Sequence, residues 1–112
     1  MLLGISLHVI AKRDRGLFNS AYTDELTGLY NRRAYEEGLD RIRKDVPSEK
    51  MIVVAIFDVN GLKEVNDKLG HASGDELLRG AASTIRSVYG SYGKCYRTGG
   101  DEFVVILEEP VE

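Results

Sequence analysis

The sequence predicts an α+β fold in which one small sheet carries helices on one face. Three observations support this class. A continuous apolar, β-branched run at 51–57 is typical of a strand. Apolar residues recur at helical spacing on both sides of that run. Further along, two glycines separate two strand-like runs and indicate a hairpin. The predicted order is helix, strand, helix, helix, strand, strand.

The composition is that of one small folded domain. The chain has 112 residues, of which 43% are hydrophobic. Its net charge of -3 and scattered basic residues give no electrostatic footprint for nucleic acid. The single cysteine, Cys95, excludes an internal disulfide and predicts a reducing, cytoplasmic compartment. We interpret Cys95 as a small buried apolar residue of a strand.

Residues 1–22 are predicted to form an apolar connector segment, and residues 23–112 the domain itself. The first ten residues are mostly apolar but too few to span a bilayer, which needs about 20. Basic residues follow this apolar run instead of preceding it, which argues against a signal peptide. We favour a connecting helix that packs on a partner. The alternative is the remnant of a membrane segment flanked by Lys12, Arg13 and Arg15, with the domain at the cytoplasmic face.

The first predicted helix of the domain runs from Thr23 or Asp24 to about Lys44, with an early break at Gly28. Pro47-Ser48 ends it. Its apolar face consists of residues at helical spacing: Ala34, Tyr35, Gly38, Leu39, Ile42 and Val46.

The length and composition of the run Met51–Phe57 favour a buried strand. It ends in the turn Asp58-Val59-Asn60-Gly61, and a short helix follows from Leu62 to Lys68. Gly70 ends that short helix.

A capping box, Ser73 with Glu76, predicts the start of the next helix. One face of this helix is apolar, with Leu77, Leu78, Ala81, Ala82, Ile85, Val88 and Tyr89. Gly90 and Gly93 end it, and the predicted hairpin turns at Gly99-Gly100.

Three carboxylates are predicted to meet where the first strand ends. Asp58 would lie beside the hairpin tip, which carries Asp101 and Glu102. Such crowded carboxylates require a cation, and Mg²⁺ suits one or two carboxylates together with phosphate oxygens. The segment Asn60 to Lys63 begins a helix, and the free backbone N–H groups there are suited to binding phosphate.

Structural interpretations of the same residues remain open. Asp58 and Asn60 are also common turn and capping residues. Asp75 is placed to interact with a helix dipole, and Asn66 and His71 with solvent.

The segment Gly99-Gly100-Asp101-Glu102-Phe103 resembles the signature of GGDEF-domain diguanylate cyclases, which join two GTP molecules into cyclic di-GMP. Three further blocks agree in order and spacing: Asp24 to Arg32, Asp58 to Asp67, and Gly70 to Asp75. The resemblance implies a partial nucleotidyl-cyclase-like, ferredoxin-like palm sheet with helices packed on it. Residues 23–112 would be the N-terminal part of such a domain, without its C-terminal strands.

The resemblance also implies site roles, which transfer to matching positions. Asp58 and Glu102 would bind Mg²⁺ or Mn²⁺ by side chains, and Val59 by its carbonyl. Asp101 would lie by the ribose 3′-hydroxyl, as base or metal contact. The remaining positions would bind GTP. Asn66 and Asp75 would bind the guanine, and the phosphates would bind at Gly61, Leu62 and Lys63. Gly99 and Gly100 would let the backbone approach the nucleotide closely. Each site would hold one GTP, so two domains must face each other.

The sequence departs from the family pattern at several places. Asn60 replaces a common second aspartate, which we expect to matter little. The window Gly90 to Gly93 lacks the Arg-x-x-Asp inhibitory site, so no inhibition through it is expected. The missing C-terminal part predicts weak or absent catalysis. It also predicts an unpaired edge at strand 51–57, and homodimerisation through that edge.

A second function remains open from the sequence. The chain would then be a noncatalytic module of cyclic di-GMP signalling that binds GTP or a protein partner. A regulatory domain linked to a phosphodiesterase is a weaker third reading.

Overall fold

The computed structural model describes residues 21–45 and 50–110, and the predictions for residues 1–20, Val46 and Pro47-Ser48 lie outside them. The elements occur in the predicted order and are α1 (Arg32–Asp45), β1 (Lys50–Asp58), α2 (Leu62–Leu69), α3 (His71–Tyr89), β2 (Gly93–Arg97) and β3 (Glu102–Pro110). Among the described residues, no helix is both long enough and apolar enough to cross a bilayer.

The described strands form one antiparallel sheet in the order β1-β3-β2. The predicted hairpin is confirmed, because β2 and β3 pair antiparallel, with Arg97 opposite Phe103 next to the turn and Gly93 opposite Leu107 at the far end. β1 pairs with β3 along its whole length, with Phe57 opposite Phe103. β3 is therefore central, and β1 is at an edge.

Helices cover both faces of the sheet, so the prediction of helices on one face is wrong. Phe103 and Val105 of β3 pack on the α3 side, in a cluster with Leu78, Ala82, Ile85 and Cys95. Val104 and Ile106 pack on the α1 side, in a cluster with Tyr96, Ala34, Tyr35, Leu39 and Ile42. Successive residues of a strand point to opposite faces, and β3 is apolar at both. A single apolar strand thus requires cover on each side.

β1 is more exposed than its composition predicts, since Met51 is 51% and Ile56 62% exposed. Two causes account for this. β1 has one neighbouring strand in the described sheet, and α1 packs mainly against β2. The prediction of a buried strand is therefore wrong for β1 in the described sheet. Val88, placed on the apolar face of α3, is also exposed.

The first helix begins at Arg32 and not at residue 23 or 24, because the Asp24 side chain stabilises a turn. Its Oδ2 accepts hydrogen bonds from the Thr27 N–H (2.9 Å) and hydroxyl (2.7 Å). Gly28, at φ 74°, completes the turn in a conformation that favours glycine. Asn31 then caps α1, since its Oδ1 accepts from the Ala34 N–H at 3.0 Å.

The capping box predicted for α3 does not form. α3 begins at His71, after Gly70, so Ser73 lies inside the helix. Its hydroxyl donates to the Leu69 carbonyl at 3.3 Å. The earlier start is possible because Gly70 adopts φ 91°, which lets α3 follow α2 directly.

Cys95 has the structural role that the sequence indicates. It is buried in β2, and this burial raises the pKa of its thiol.

Tyr96 makes the stability of the α1 side sensitive to alkaline pH. Its burial, and to a smaller extent Tyr30, raises the pKa of Tyr96 from 10.0 to about 12. The folded state holds the phenol proton more tightly than the unfolded state does. The protonated Tyr96 therefore contributes fully to the free energy of unfolding below pH 10, and this contribution is lost as the pH rises through about 12. Between these pH values, the free energy of unfolding should therefore fall by about 2 kcal/mol more in the wild-type protein than in the Tyr96→Phe variant.

Urea denaturation across this pH range measures the effect. The control is Tyr92→Phe, at a tyrosine that is 67% exposed, and it should retain the wild-type slope. Equal slopes in wild type and Tyr96→Phe would contradict the prediction.

Candidate functional site

The end of β1 lies beside the start of β3, as the sequence predicts. Asp58 is directly opposite Glu102 in the antiparallel register. The ladder continues one step further, where the Val59 N–H donates to the Asp101 carbonyl at 2.9 Å. Directly opposite residues share a face, with Cβ atoms about 4.5–5.5 Å apart. The register therefore brings the Asp58 and Glu102 carboxylates together on one side of the sheet.

The predicted cluster of three carboxylates does not form. In residues 21–45 and 50–110, no three His, Cys, Asp or Glu side chains come close enough to hold one metal ion. Asp101 is exposed and lies in the bend that directly precedes β3. The pair that remains is Asp58 and Glu102.

The Asp58 and Glu102 carboxylates have the donor chemistry of a divalent-cation site. Mg²⁺ is usually bound by one or two protein carboxylates and completes its shell with phosphate and water. Glu102 Oε1 accepts a hydrogen bond from the Thr98 hydroxyl at 2.6 Å, which fixes the carboxylate and leaves Oε2 available. Val59, whose carbonyl is the other predicted ligand, directly follows Asp58.

Arg97 ties the hairpin tip to the turn that precedes α1. Its Nη2 donates to the Gly100 carbonyl at 2.9 Å, and its Nη1 donates to both Asp24 carboxylate oxygens at 3.2 and 3.3 Å. The two side chains are only 18% and 19% exposed. Arg32 Nη1 adds a bond to the Thr98 carbonyl at 3.2 Å. The loop that presents Asp101 and Glu102 is thus held from two directions.

Sequence reasoning gave no roles to Asp24, Arg32, Arg97 or Thr98. Asp24 and Thr27 have the spacing of a side-chain-stabilised turn, and that was the available signal. No local sequence pattern predicts the pairing of Asp24 with Arg97, because the two residues are 73 positions apart.

The turn after β1 leaves backbone N–H groups without side-chain caps. Gly61, at φ 80°, precedes α2, and no side chain caps the helix. The first helical bond beyond it runs from the Val65 N–H to the Gly61 carbonyl at 3.0 Å. The N–H groups of Leu62 and Lys63 therefore lie in the first turn, where a helix attracts anions.

Asn66 and Asp75 lie close together because α2 packs on α3. Gly74, which precedes Asp75, is buried against the Asn66 side chain: a Cβ built there would overlap its Oδ1. The glycine thus permits the contact between the helices. His71 is exposed at the start of α3.

Gly99 and Gly100 are not required by the described fold. Neither has a positive φ. A Cβ on Gly100 would meet no described atom within 4 Å, and one on Gly99 would make an ordinary contact with Glu102. Alanine would therefore fit among the described residues at either position.

These features agree with a family comparison over most of the chain. Residues 21–112 match the model of "Diguanylate cyclase, GGDEF domain". The chain belongs to the GGDEF-domain diguanylate cyclase family. Within this GGDEF domain, the signature pentapeptide is the turn between β2 and β3 together with the first residues of β3.

Curated relatives share this region of the GGDEF domain. Diguanylate cyclase DgcN of Escherichia coli K12 is 36% identical over 91 residues, which cover 81% of this chain and 22% of that protein. Probable diguanylate cyclase DgcI of the same strain is 40% identical over 96 residues, covering 85% and 21%. The chain spans about a fifth of the length of these relatives.

A solved structure has the same fold. The coiled coil and GGDEF domain of DgcB from Caulobacter crescentus, in complex with c-di-GMP, superimposes with a TM-score of 0.82 at 30% identity. The match covers 94% of this chain and 56% of that chain. The α+β architecture predicted from the sequence is confirmed.

Proposed function

We propose that this GGDEF domain carries the GTP–metal site of a diguanylate cyclase. The overall reaction would convert two GTP into cyclic di-GMP and two pyrophosphates. The observation that supports it most is the cross-strand pairing of Asp58 with Glu102, next to the uncapped first turn of α2. The curated relatives named above are diguanylate cyclases, which supports the same reaction class.

Asp58 and Glu102 would hold Mg²⁺ or Mn²⁺ through their side chains, with the Val59 carbonyl. When bound, the cation would neutralise triphosphate charge and polarise the reacting phosphate. Thr98 keeps Glu102 oriented by its 2.6 Å hydrogen bond. A fixed carboxylate loses less conformational entropy on binding.

The GTP would lie along the turn between β1 and α2 and extend toward the start of α3. Its phosphates would accept hydrogen bonds from the N–H groups of Gly61, Leu62 and Lys63, and the Lys63 ammonium would add charge. Asn66 and Asp75 would face the guanine edge, where a carboxylate can accept from two N–H donors. The main chain at Gly99 and Gly100 would pass close to the nucleotide.

The bond-forming step would be attack of a ribose 3′-hydroxyl on the α-phosphorus of a second GTP. The O3′–Pα bond forms, the bond to the pyrophosphate leaving group breaks, and the hydroxyl proton goes to a base. Asp101 is suited to that role, because it is exposed at the hairpin tip and lies outside the carboxylate pair. Two such domains must face each other to bring both nucleotides together.

Calorimetry of GTP binding with and without Mg²⁺ tests the proposal. We expect binding that depends on Mg²⁺ and that Asp58→Asn or Glu102→Gln weakens by at least about tenfold, since each removes a metal ligand. The matched control is Glu109→Gln, at an exposed carboxylate of the same strand as Glu102. Metal-independent binding, unchanged in both variants, would indicate an interaction module instead.

Gly100→Ala supplies a second readout for the same site. The Cβ would meet nothing in the described chain, so stability should be unchanged while GTP affinity falls. Gly80→Ala is the control, because its Cβ is equally unopposed but lies on α3. Equal GTP affinity in both variants would contradict close approach at the signature turn.

A further inference from the structure

Thr98 holds Glu102 through both its main chain and its side chain. The Thr98 N–H donates to the Glu102 carbonyl at 3.0 Å, across the turn between β2 and β3. The Thr98 hydroxyl donates to Glu102 Oε1 at 2.6 Å. Hydroxyl–carboxylate bonds of this length are charge-assisted and stronger than bonds between neutral groups. The position of one carboxylate oxygen of Glu102 is therefore determined by Thr98.

Thr98 is itself firmly placed. It is only 4% exposed, and its branching at Cβ restricts the rotation of its side chain. Its carbonyl accepts the hydrogen bond from Arg32 Nη1, so α1 supports it as well. Arg32 is oriented in turn by Glu36 of the same helix, with 3.0 Å between Nε and Oε1. The hydroxyl group that contacts Glu102 thus has a fixed position.

The two carboxylate oxygens of Glu102 are not equivalent. Oε1 accepts the Thr98 bond, whereas no donor within residues 21–45 and 50–110 bonds to Oε2. Asp58 lies directly opposite Glu102 on the same face of the sheet. A cation beside Asp58 would be bound by Oε2 with the Thr98 bond intact. Binding through both oxygens would instead place the cation on Oε1, in competition with the Thr98 hydroxyl.

Divalent cations differ in how they use a carboxylate. Ca²⁺ takes about six to eight oxygen ligands and is often bound by both oxygens of one carboxylate. Mg²⁺ requires a nearly octahedral shell, and one or two protein carboxylates with phosphate and water oxygens supply it. Mn²⁺ is found in octahedral oxygen sites as well. A carboxylate that offers one oxygen therefore suits Mg²⁺ and Mn²⁺ better than Ca²⁺.

We propose that Thr98 is a positioning residue that selects Mg²⁺ or Mn²⁺ over Ca²⁺ at the Asp58–Glu102 pair. By holding Oε1, Thr98 confines Glu102 to binding through one oxygen and deprives Ca²⁺ of a bidentate ligand. This inference rests on the metal site of the proposed function and adds which cations that site accepts.

Metal titrations of the full chain without GTP test the proposal. The electron paramagnetic resonance signal of free Mn²⁺ gives the Kd of Mn²⁺, and competition gives those of Mg²⁺ and Ca²⁺. Thr98→Val replaces the hydroxyl by a methyl group of similar shape. Loss of a hydrogen bond to a metal ligand typically costs about 10–100-fold in affinity. We expect this loss for Mg²⁺ but not for Ca²⁺, so the ratio of the Ca²⁺ Kd to the Mg²⁺ Kd should fall by about tenfold.

Three further variants separate the hydroxyl from other causes. Thr98→Ser retains the donor and should keep the wild-type ratio. Thr98→Ala removes the hydroxyl without adding a buried methyl group, and should shift the ratio in the same direction as Thr98→Val. The matched control is Thr84→Val, which removes a hydroxyl that donates to the Gly80 carbonyl at 3.0 Å on α3. Its ratio should equal that of wild type, and circular dichroism checks that each variant is folded.

The possible outcomes distinguish this inference from the proposed function. Equal ratios in wild type and both hydroxyl-free variants would overturn the role of Thr98, and so would a shift that Thr98→Ser shares. Neither result would affect the proposed GTP–metal site. A chain that shows the expected shift but binds no GTP would contradict the proposed function alone. Absence of Mn²⁺ binding to the wild-type chain would overturn both.

Discussion

Replacing Asp24 with alanine is expected to lower the free energy of unfolding by about 3 kcal/mol. The substitution leaves the mostly buried Arg97 guanidinium without its carboxylate partner, which typically costs several kcal/mol. It also removes the acceptor of the Thr27 N–H and hydroxyl bonds. Arg97 would then hold Gly100 less firmly, so the signature hairpin should loosen as well.

Urea denaturation measures the stability, and amide hydrogen exchange at Gly99 and Gly100 measures the loosening. Glu25→Ala is the matched control, because that neighbouring carboxylate is exposed and no described bond depends on it. If Asp24→Ala matched the control in both measurements, the Asp24–Arg97 ion pair would not contribute to the stability of the domain or of the hairpin.

Phe103→Ala is expected to cost about 3–5 kcal/mol, the range typical of a fully buried phenylalanine. Phe103 is 0% exposed, lies opposite Phe57 and belongs to the cluster under α3. Small domains typically have a total stability of about 5–15 kcal/mol, so this loss would bring a domain at the lower end of that range close to unfolding. Phe103→Leu keeps most of the volume and should cost about 1 kcal/mol.

The same denaturation experiment distinguishes two roles for this last signature residue. Tyr92→Ala removes a ring that is 67% exposed and should change stability little. A stable Phe103→Ala variant that binds GTP poorly would place the phenylalanine in the site instead of the core. We expect the opposite, a loss of stability that Phe103→Leu largely avoids.

Local patterns were enough to predict the strands and the hairpin. The apolar run of β1 reflects the packing of β-branched residues in a sheet, and the two glycines lie in the turn that they predict, although the described fold does not require glycine there. The meeting of Asp58 with the hairpin tip followed from joining these elements in one sheet. The Asp58–Glu102 pair of the candidate site could thus be predicted from the sequence, whereas the separation of Asp101 from this pair depends on the local conformation of the bend before β3.

The features that were missed depend on contacts between distant residues. The first helix was placed too early because the Asp24–Thr27 turn, with its own hydrogen bonds, competes with helix formation there. The exposure of β1 depends on which strand is its neighbour, and no property of residues 51–57 contains that information. The Arg97–Asp24 pair joins segments 73 residues apart and has no periodic signal.

The position of β3 also has a consequence for how the chain folds. β3 contacts both other described strands but follows them along the sequence. The β2–β3 hairpin needs only a short loop closure, whereas β1 must wait for a partner that lies far downstream. During synthesis, apolar β1 therefore emerges well before β3. We therefore expect the pairing of β1 with β3 to be slower than formation of the β2–β3 hairpin, because it closes the longer loop.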